Sequence, residues 1–242
     1  MKSLFISDLH LSPETMQIAQ QLVMLLNTQA QDADEVYILG DMFEAWLGDD
    51  AMPEAIKPLI SQLSALSKRG CRVFLMQGNR DFLMGEEFAR LCGATLLPEA
   101  HVIQLQGQPT LLMHGDQLCT DDVGYQSFRQ QVRNPQWQKQ FLSLPIPNRM
   151  EMAKQARAAS KEQTSHKAEY IMDVNQQTVI DTMRQHGVSQ VIHGHTHRPA
   201  THTFELDGQP ARRIVLGDWT DRPSYLVVNG DKMQLVDPRI SS

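Results

Sequence analysis

The feature that most constrains this chain is a pattern it repeats. A short aliphatic run stops abruptly at an aspartate, asparagine or histidine, usually beside a glycine: LFISDLH (4–10), VYILGD (36–41), RVFLMQGNRD (72–81), TLLMHGD (110–116) and VIHGHTH (191–197). RIVLGDW (213–219) is a related run without a histidine. Uninterrupted apolar runs of this length predict strands buried on both faces. Helical patterns lie between them, at roughly 14–29, 53–69, 85–92 and 173–186. Strand alternating with helix predicts an α/β core. The segment SYLVVNGDKMQLV (224–236) predicts a β-hairpin, turning at Asn229-Gly230 or at Gly230-Asp231.

Residues 119–172 break the alternation. They read as helices without a strand, punctuated by Asn134-Pro135 and Pro145-Ile146-Pro147. Residues 120–170 carry a net charge of +3, against −9 for the remainder. The expected organisation is a core of 1–118 and 173–242, interrupted by a helical insertion at 119–172 that lies as a lid over the strand ends.

Composition excludes several classes. A net charge of −6 lacks the basic footprint of a general nucleic-acid binder. Cys71, Cys92 and Cys119 have no CxxC spacing and read as reduced thiols. The first residues reach Asp8 too soon for a signal-peptide apolar region, and the best uninterrupted apolar stretch, Leu22 to Leu26, is five residues. A soluble, cytoplasmic monomer is the expectation.

The strand ends carry the chemistry. An Asp or His at one strand end is usually a turn former. Here Asp8 and His10 are separated by one residue, as are His195 and His197, so each pair shares a face if its segment is extended. Open α/β sheets bind ligands outside the carboxyl ends of their strands. Five such ends would gather Asp8, His10, Asp41, Asn79, His114, His195 and His197. Mixed carboxylate and imidazole donors suit Mn²⁺, Fe²⁺ or Zn²⁺. Seven donors exceed one open site and suffice for two metals sharing a carboxylate. His193, inside the apolar run 191–193, reads instead as a satisfied core histidine.

The order Asp8-x-His10, Gly40-Asp41, Gly78-Asn79, His114 and Gly194-His195-x-His197 resembles the calcineurin-like metallophosphoesterase superfamily. The resemblance implies a sandwich of two mixed β-sheets flanked by helices. It implies Asp8, His10, Asp41 and His197 on one divalent ion, and Asp41, Asn79, His114 and His195 on a second. The mixed nitrogen and oxygen donors make Mn²⁺ the first choice of metal.

Many members of that superfamily carry Gly-Asn-His where this chain has Gly78-Asn79-Arg80. Arginine cannot act as a general acid near neutral pH, but it can clamp phosphate oxygens and neutralise developing charge. A leaving group that needs no proton, such as a phosphate, fits this change, so a pyrophosphate is expected rather than an alkyl phosphomonoester. Structural pairing of Arg80 with Asp81 is the alternative. No chemistry is read into Glu44, which stands where the superfamily often has Asp.

GDMFEAWLGDD (40–50), HGDQLCTDDVGYQSFR (114–129) and SKEQTSHKAEYIMDV (160–174) narrow the likeness. They resemble the UDP-2,3-diacylglucosamine diphosphatase family of lipid A biosynthesis. That resemblance implies hydrolysis to UMP and 2,3-diacylglucosamine 1-phosphate, with water attacking the α-phosphorus and Arg80, Asn79 and His195 at the reacting phosphate. In a helix, Arg157, Ser160, Thr164 and Lys167 share one face. Their charge pattern alone reads as a solvated face; the resemblance favours substrate binding, together with Asp122 and Tyr125. Apolar residues of the insertion are expected to form mostly a small core of their own. Some of them, with Trp46, Phe82, Leu83 and Met84, would line an acyl chamber. A lipid substrate without a membrane span implies peripheral attachment to the cytoplasmic face of the inner membrane. Two other readings stay open: a phosphodiesterase or nuclease acting on another nucleotide, and a non-catalytic scaffold.

Overall fold

A computed structural model describes residues 1–165 and 169–240. The chain runs β1 (Lys2–Ile6), α1 (Met16–Thr28), β2 (Glu35–Leu39), α2 (Lys57–Lys68), β3 (Arg72–Met76), α3 (Glu86–Cys92), β4 (Ala94–Leu97), β5 (Ala100–Leu105) and β6 (Gln108–Met113). It continues through α4 (Val123–Val132), α5 (Pro135–Leu142), α6 (Ile146–Ser165), α7 (Gln176–His186), β7 (Gln190–His193), β8 (Ala200–Leu206), β9 (Gln209–Val215), β10 (Tyr225–Asn229) and β11 (Lys232–Val236).

Two mixed sheets form, ordered β11-β10-β1-β2-β3-β4 and β5-β6-β7-β9-β8. β1 to β4 are mutually parallel, as are β6, β7 and β9, so the carboxyl ends within each parallel set point the same way. The sheets meet through Phe5, Tyr37, Leu39 and Met76 from one and Leu112, Ile192 and Ile214 from the other. Phe5, Tyr37 and Phe74 stack in a row at 4.8 and 4.7 Å between centroids. On the outer face of the first sheet, Leu4, Ile6, Val36 and Ile38 pack against Leu22 and Leu26 of α1, Leu63 of α2 and Phe88 of α3. Leu111, Met113 and Val191 of the second sheet pack against Val179 and Met183 of α7. Alternate residues of one strand thus enter different apolar layers, which is why β1 and β2 read as continuous apolar runs.

Two details depart from the sequence reading, and the hairpin takes the second of its two expected turns. β4, β5 and β8 have no counterpart among the predicted runs. β5 and β8 are sheet edges with many exposed positions, so their patterns are mixed rather than apolar. The hairpin pairs Asn229 with Lys232, which leaves Gly230-Asp231 as its turn. Among the described residues, the apolar side chains of the helical segment do not assemble a separate core. Phe141 is buried in the cluster that holds Trp46, Met84 and Phe88, with Trp137 packed against it. Trp46, Leu83 and Met84 are themselves core residues, at 5%, 7% and 1% exposure, and are not free to line a chamber.

Between β6 and β7 the described chain is helical only. Its arginines dock it. Arg149, almost fully buried, donates to the Leu47 carbonyl at 2.6 Å, the Leu144 carbonyl at 2.9 Å and Asp50 at 2.8 Å. Arg133 donates to Gln77 at 2.8 Å and the Gly78 carbonyl at 2.9 Å. Arg129 meets Asp116 at 2.8 Å and Glu99 at 2.9 Å. Much of the positive charge of this segment is therefore committed to the core. No described helix is long and apolar enough to cross a membrane.

Candidate metal centre

The strands stop before the ligands begin. β1 ends at Ile6 and β7 at His193, and Asp8, His10, Asp41, His195 and His197 all take left-handed backbone conformations, with φ between 48° and 68°. Asp8-x-His10 and His195-x-His197 are therefore not extended, and left-handed turns rather than strand alternation orient each pair. Among the described residues, five of the seven non-glycine residues with positive φ are these predicted ligands. Each such residue costs about 1–2 kcal/mol, so backbone strain is concentrated at one place. The loops stay tied as they turn: Asp8 N–H donates to the Gly40 carbonyl at 3.1 Å and His10 N–H to the Asp41 carbonyl at 2.9 Å.

Two glycines make the approach possible. A Cβ on Gly78 would lie 2.1 Å from Oδ1 of Asp41, and one on Gly194 would lie 2.2 Å from Oδ2 of Asp8. The carboxylates sit against bare backbone, which is the reason for glycine beside the strand-end donors.

All seven predicted donors converge, in two groups that meet at Asp41. Oδ2 of Asp41 is 3.9 Å from Nε2 of His10 and 3.6 Å from Nε2 of His114. In the first group, Nε2 of His10 and Nε2 of His197 face each other at 3.2 Å, with Oδ1 of Asp8 at 4.0 and 3.4 Å from them. In the second, Oδ1 of Asn79 is 2.9 Å from Nε2 of His114 and 2.8 Å from Nδ1 of His195. His114 Nδ1 donates to the Leu39 carbonyl at 2.9 Å, which leaves its Nε2 to face the site.

Residues 1–199 match the family described as calcineurin-like phosphoesterase. The chain belongs to that family. It is 51% identical to the UDP-2,3-diacylglucosamine hydrolase of Chromohalobacter salexigens over 219 residues, covering 90% of this chain and 89% of the relative. It is 48% identical to the protein of that name from Salmonella typhi and 47% identical to the one from Escherichia coli, each over 236 residues and covering 98% of both chains.

The family binds divalent metals, and the donors fit that role. Oδ1 of Asp8 is buried without a hydrogen-bond partner. Facing imidazole nitrogens repel unless a proton or a cation lies between them. Burial lowers the pKa of His10, but Glu44, Asp41 and Asp8 outweigh it and raise it to about 9. Burial likewise lowers that of His114, while Asp41, Asp8 and Asp116 drive it up on balance. The carboxylate cluster around these imidazoles draws positive charge, which divalent ions supply. Asp8, His10 and His197 form one candidate ligand set, and Asp8, Asp41 and His114 another. His195 differs: burial first, and His114 second, lower it to about 4, so it presents a neutral ring.

Around this family site lie residues that motif reading passed over. Glu44 stands 3.0 Å from Nδ1 of His10, off the line of a hydrogen bond, and also pairs with Arg157 of α6. Asp116, buried, accepts from the Tyr125 hydroxyl at 2.7 Å, and the Tyr125 ring lies over His195 at 6.0 Å. Asp218 is 3.6 Å from Nδ1 of His197 and is held by Arg239 at 2.6 Å. Asp116 and Asp218 each follow a glycine at the end of an apolar run, so the strand-end pattern itself marked them. Glu44 carried no such mark.

Asp81 is not the partner of Arg80. It is fully buried and accepts from the backbone amides of Gly78 at 2.7 Å, Met42 at 2.8 Å, and Asp41 and Phe43 at 3.3 Å. Burial first, then Asp41, raises its pKa to about 6. Asp122 caps α4 by accepting from Tyr125 N–H at 3.0 Å. Ser160 is exposed on α6, Thr164 lies in its last turn, and Lys167 lies outside the described residues. His193 is the core histidine its run predicts, fully buried, with Nδ1 donating to the Gly194 carbonyl at 2.8 Å.

Proposed function

We propose that this protein is a two-metal pyrophosphohydrolase that cleaves UDP-2,3-diacylglucosamine to UMP and 2,3-diacylglucosamine 1-phosphate, with water attacking the α-phosphorus. The observation that carries the reading is Asp41, whose Oδ2 is shared between the His10 and His114 groups. Asp8, His10, Asp41 and His197 would hold one ion, and Asp41, Asn79, His114 and His195 the other, with Mn²⁺ the preferred metal. Divalent ions there supply Lewis-acid activation of water and neutralise phosphoryl charge.

The chain's own groups do the rest. The Arg80 guanidinium, half-buried and with no hydrogen-bond partner among the described residues, is available to clamp phosphoryl oxygens in a bidentate fork. It keeps its proton, so the departing group must leave as an anion that needs none, and a sugar phosphate does. Asn79 and neutral His195 orient around the same phosphate. Residues 119–172 act as a lid, in which Arg157, Ser160, Thr164 and Lys167, with Asp122 and Tyr125, bind the glucosamine phosphate. The names of the relatives, at 47–51% identity over nearly the whole chain, support this substrate.

Turnover of UDP-2,3-diacylglucosamine with added Mn²⁺, products identified by mass spectrometry, tests the reading against UDP-N-acetylglucosamine, a cyclic nucleotide and an aryl phosphate. Preference for the cyclic nucleotide would establish a phosphodiesterase instead. Equal rates on the sugar nucleotide lacking acyl chains would remove the acyl-binding role of the lid.

A lipid substrate calls for contact with a bilayer as a peripheral protein. Phe128, Leu142, Ile146, Met150 and Met152 are exposed on the helical segment, a set of apolar side chains suited to the interface. Sedimentation with anionic liposomes at low salt tests this. No binding there ends the membrane reading.

A further inference from the structure

The helical segment reaches the metal cluster from several sides. Arg157 of α6 meets Glu44 beside His10, Arg133 grips the backbone before Asn79, and Tyr125 of α4 covers His195. The His197 side is different. It borders a cavity of about 320 Å³ whose lining includes Asp173, His197, Arg198, His202, Arg213 and Arg239. That volume lies in the range of small-ligand sites, ~300–1,000 Å³.

The arginines of this cavity are not alike. Arg198 pairs with Asp173 at 2.7 Å, and Arg239 pairs with Asp218 at 2.6 Å and Asp237 at 2.7 Å. Arg213 is only 6% exposed and forms no ion pair with a carboxylate among the described residues. Its Nη1 stands 3.2 Å from Nε2 of His193, and its Nε is buried with no partner. His193 spends Nδ1–H on the Gly194 carbonyl, so its Nε2 is the acceptor for Arg213. A neutral ring cannot balance a buried guanidinium, and the carboxylate that acts on it across the cavity, Asp173, is already paired with Arg198, so the charge of Arg213 is only partly offset. Burial drives the Arg213 pKa down, as that imbalance requires.

We infer that this cavity is the subsite for the nucleoside monophosphate half of the substrate, with Arg213 supplying the charge that an anionic ligand balances. The inference rests on the pyrophosphohydrolase reading. If the sugar and its acyl chains lie under the helical segment, the half bearing the attacked phosphorus must leave the metals on another side, and His197 forms the wall between the metals and this cavity. The donors suit a nucleotide. Guanidinium and imidazole N–H groups match phosphate, ribose and pyrimidine oxygens, and the Asp173 carboxylate can accept from a ribose hydroxyl or the pyrimidine N–H.

The test is calorimetric titration of the metal-loaded protein with UMP, inorganic phosphate and 2,3-diacylglucosamine 1-phosphate. Arg213→Gln is expected to weaken UMP by about tenfold or more, the loss typical of a charged hydrogen bond. His202→Glu, on the exposed rim, is expected to weaken UMP by about threefold or more through like-charge repulsion. The diacylglucosamine phosphate should bind both variants as it binds the parent protein. Should Arg213→Gln fail to fold, His202→Glu decides alone. UMP affinity unchanged in folded His202→Glu overturns the subsite, as does UMP binding no tighter than inorganic phosphate. Turnover of the parent protein separates the two readings. Lack of hydrolysis with UMP binding still sensitive to these variants sinks the lipid substrate and leaves the subsite standing. Normal hydrolysis with UMP binding indifferent to them sinks the subsite alone.

Discussion

The backbone amide of Arg80 donates to Oδ1 of Asp41 at 2.7 Å, while Oδ2 of the same carboxylate faces His10 and His114. One aspartate therefore sets both the meeting point of the predicted metal ligands and the placement of the arginine that follows Asn79. Because the link uses the Arg80 main chain, side-chain truncation leaves it intact. Arg80→Ala is expected to keep its metal content and lose about 10²–10³ in kcat, the usual loss when a donor to transition-state charge is removed. Steady-state kinetics with elemental analysis check this. Loss of thermal stability with kcat unchanged would show the role to be structural.

Removal of the metals should abolish turnover and lower thermal stability, since ligands that bind only the folded state stabilise it. Readdition of Mn²⁺ to chelated protein should restore both. Asp41→Asn should keep the side-chain shape but weaken binding to both groups of donors. Activity that survives chelation, or that Asp41→Asn leaves untouched, would refute a two-metal mechanism.

Glu44 offers a separate handle on His10. Partners behind a ligating histidine typically contribute about 10–100-fold to metal affinity. Glu44→Gln removes the charge 3.0 Å from Nδ1 and also the partner of Arg157. Metal titration should show weaker affinity at one of the two ions. Equal affinity in the variant and the parent would mean that His10 is oriented by its loop alone.

Arg149 fastens α6 to the loop of Leu47 to Asp50. Arg149→Ala is expected to cost about 2 kcal/mol through lost charged hydrogen bonds to carbonyls. For a chain of this size that corresponds to a fall of about 4–8 °C in Tm by calorimetry. Arg157→Ala, at a more exposed pair, should shift Tm far less and act on KM.

Local patterns carried much of the fold. Continuous apolar runs marked β1, β2, β3, β6 and β7 because each alternates between two buried layers. The edge strands β5 and β8 escaped because exposure on a sheet rim leaves residues such as Thr201, His202 and Thr203 polar. The helices of 119–172 were legible from proline and charge. Their docking was not, since Arg149 and the Leu47 carbonyl it meets are 102 positions apart.

The seven donors were legible for a simpler reason: each lies in the loop just past the carboxyl end of a strand, and parallel strands deliver those ends to one edge. The sequence by itself therefore determined which residues arrive at the site, and with glycine at 78 and 194 it carried the bare backbone that admits Asp41 and Asp8. How they arrive was decided only in three dimensions. Asp8 and His10 meet through two left-handed residues rather than the alternation of a strand. Asn79 stands between His114 and His195 because β3, β6 and β7 belong to two sheets that pack face to face. Glu44 behind His10 and the burial of Arg213 beside His193 likewise depend on partners distant in the chain. Periodicity and spacing describe the chain one turn or one pleat at a time. Hydrogen bonds and charge balance across more than 100 residues exist only once the sheets have paired and packed.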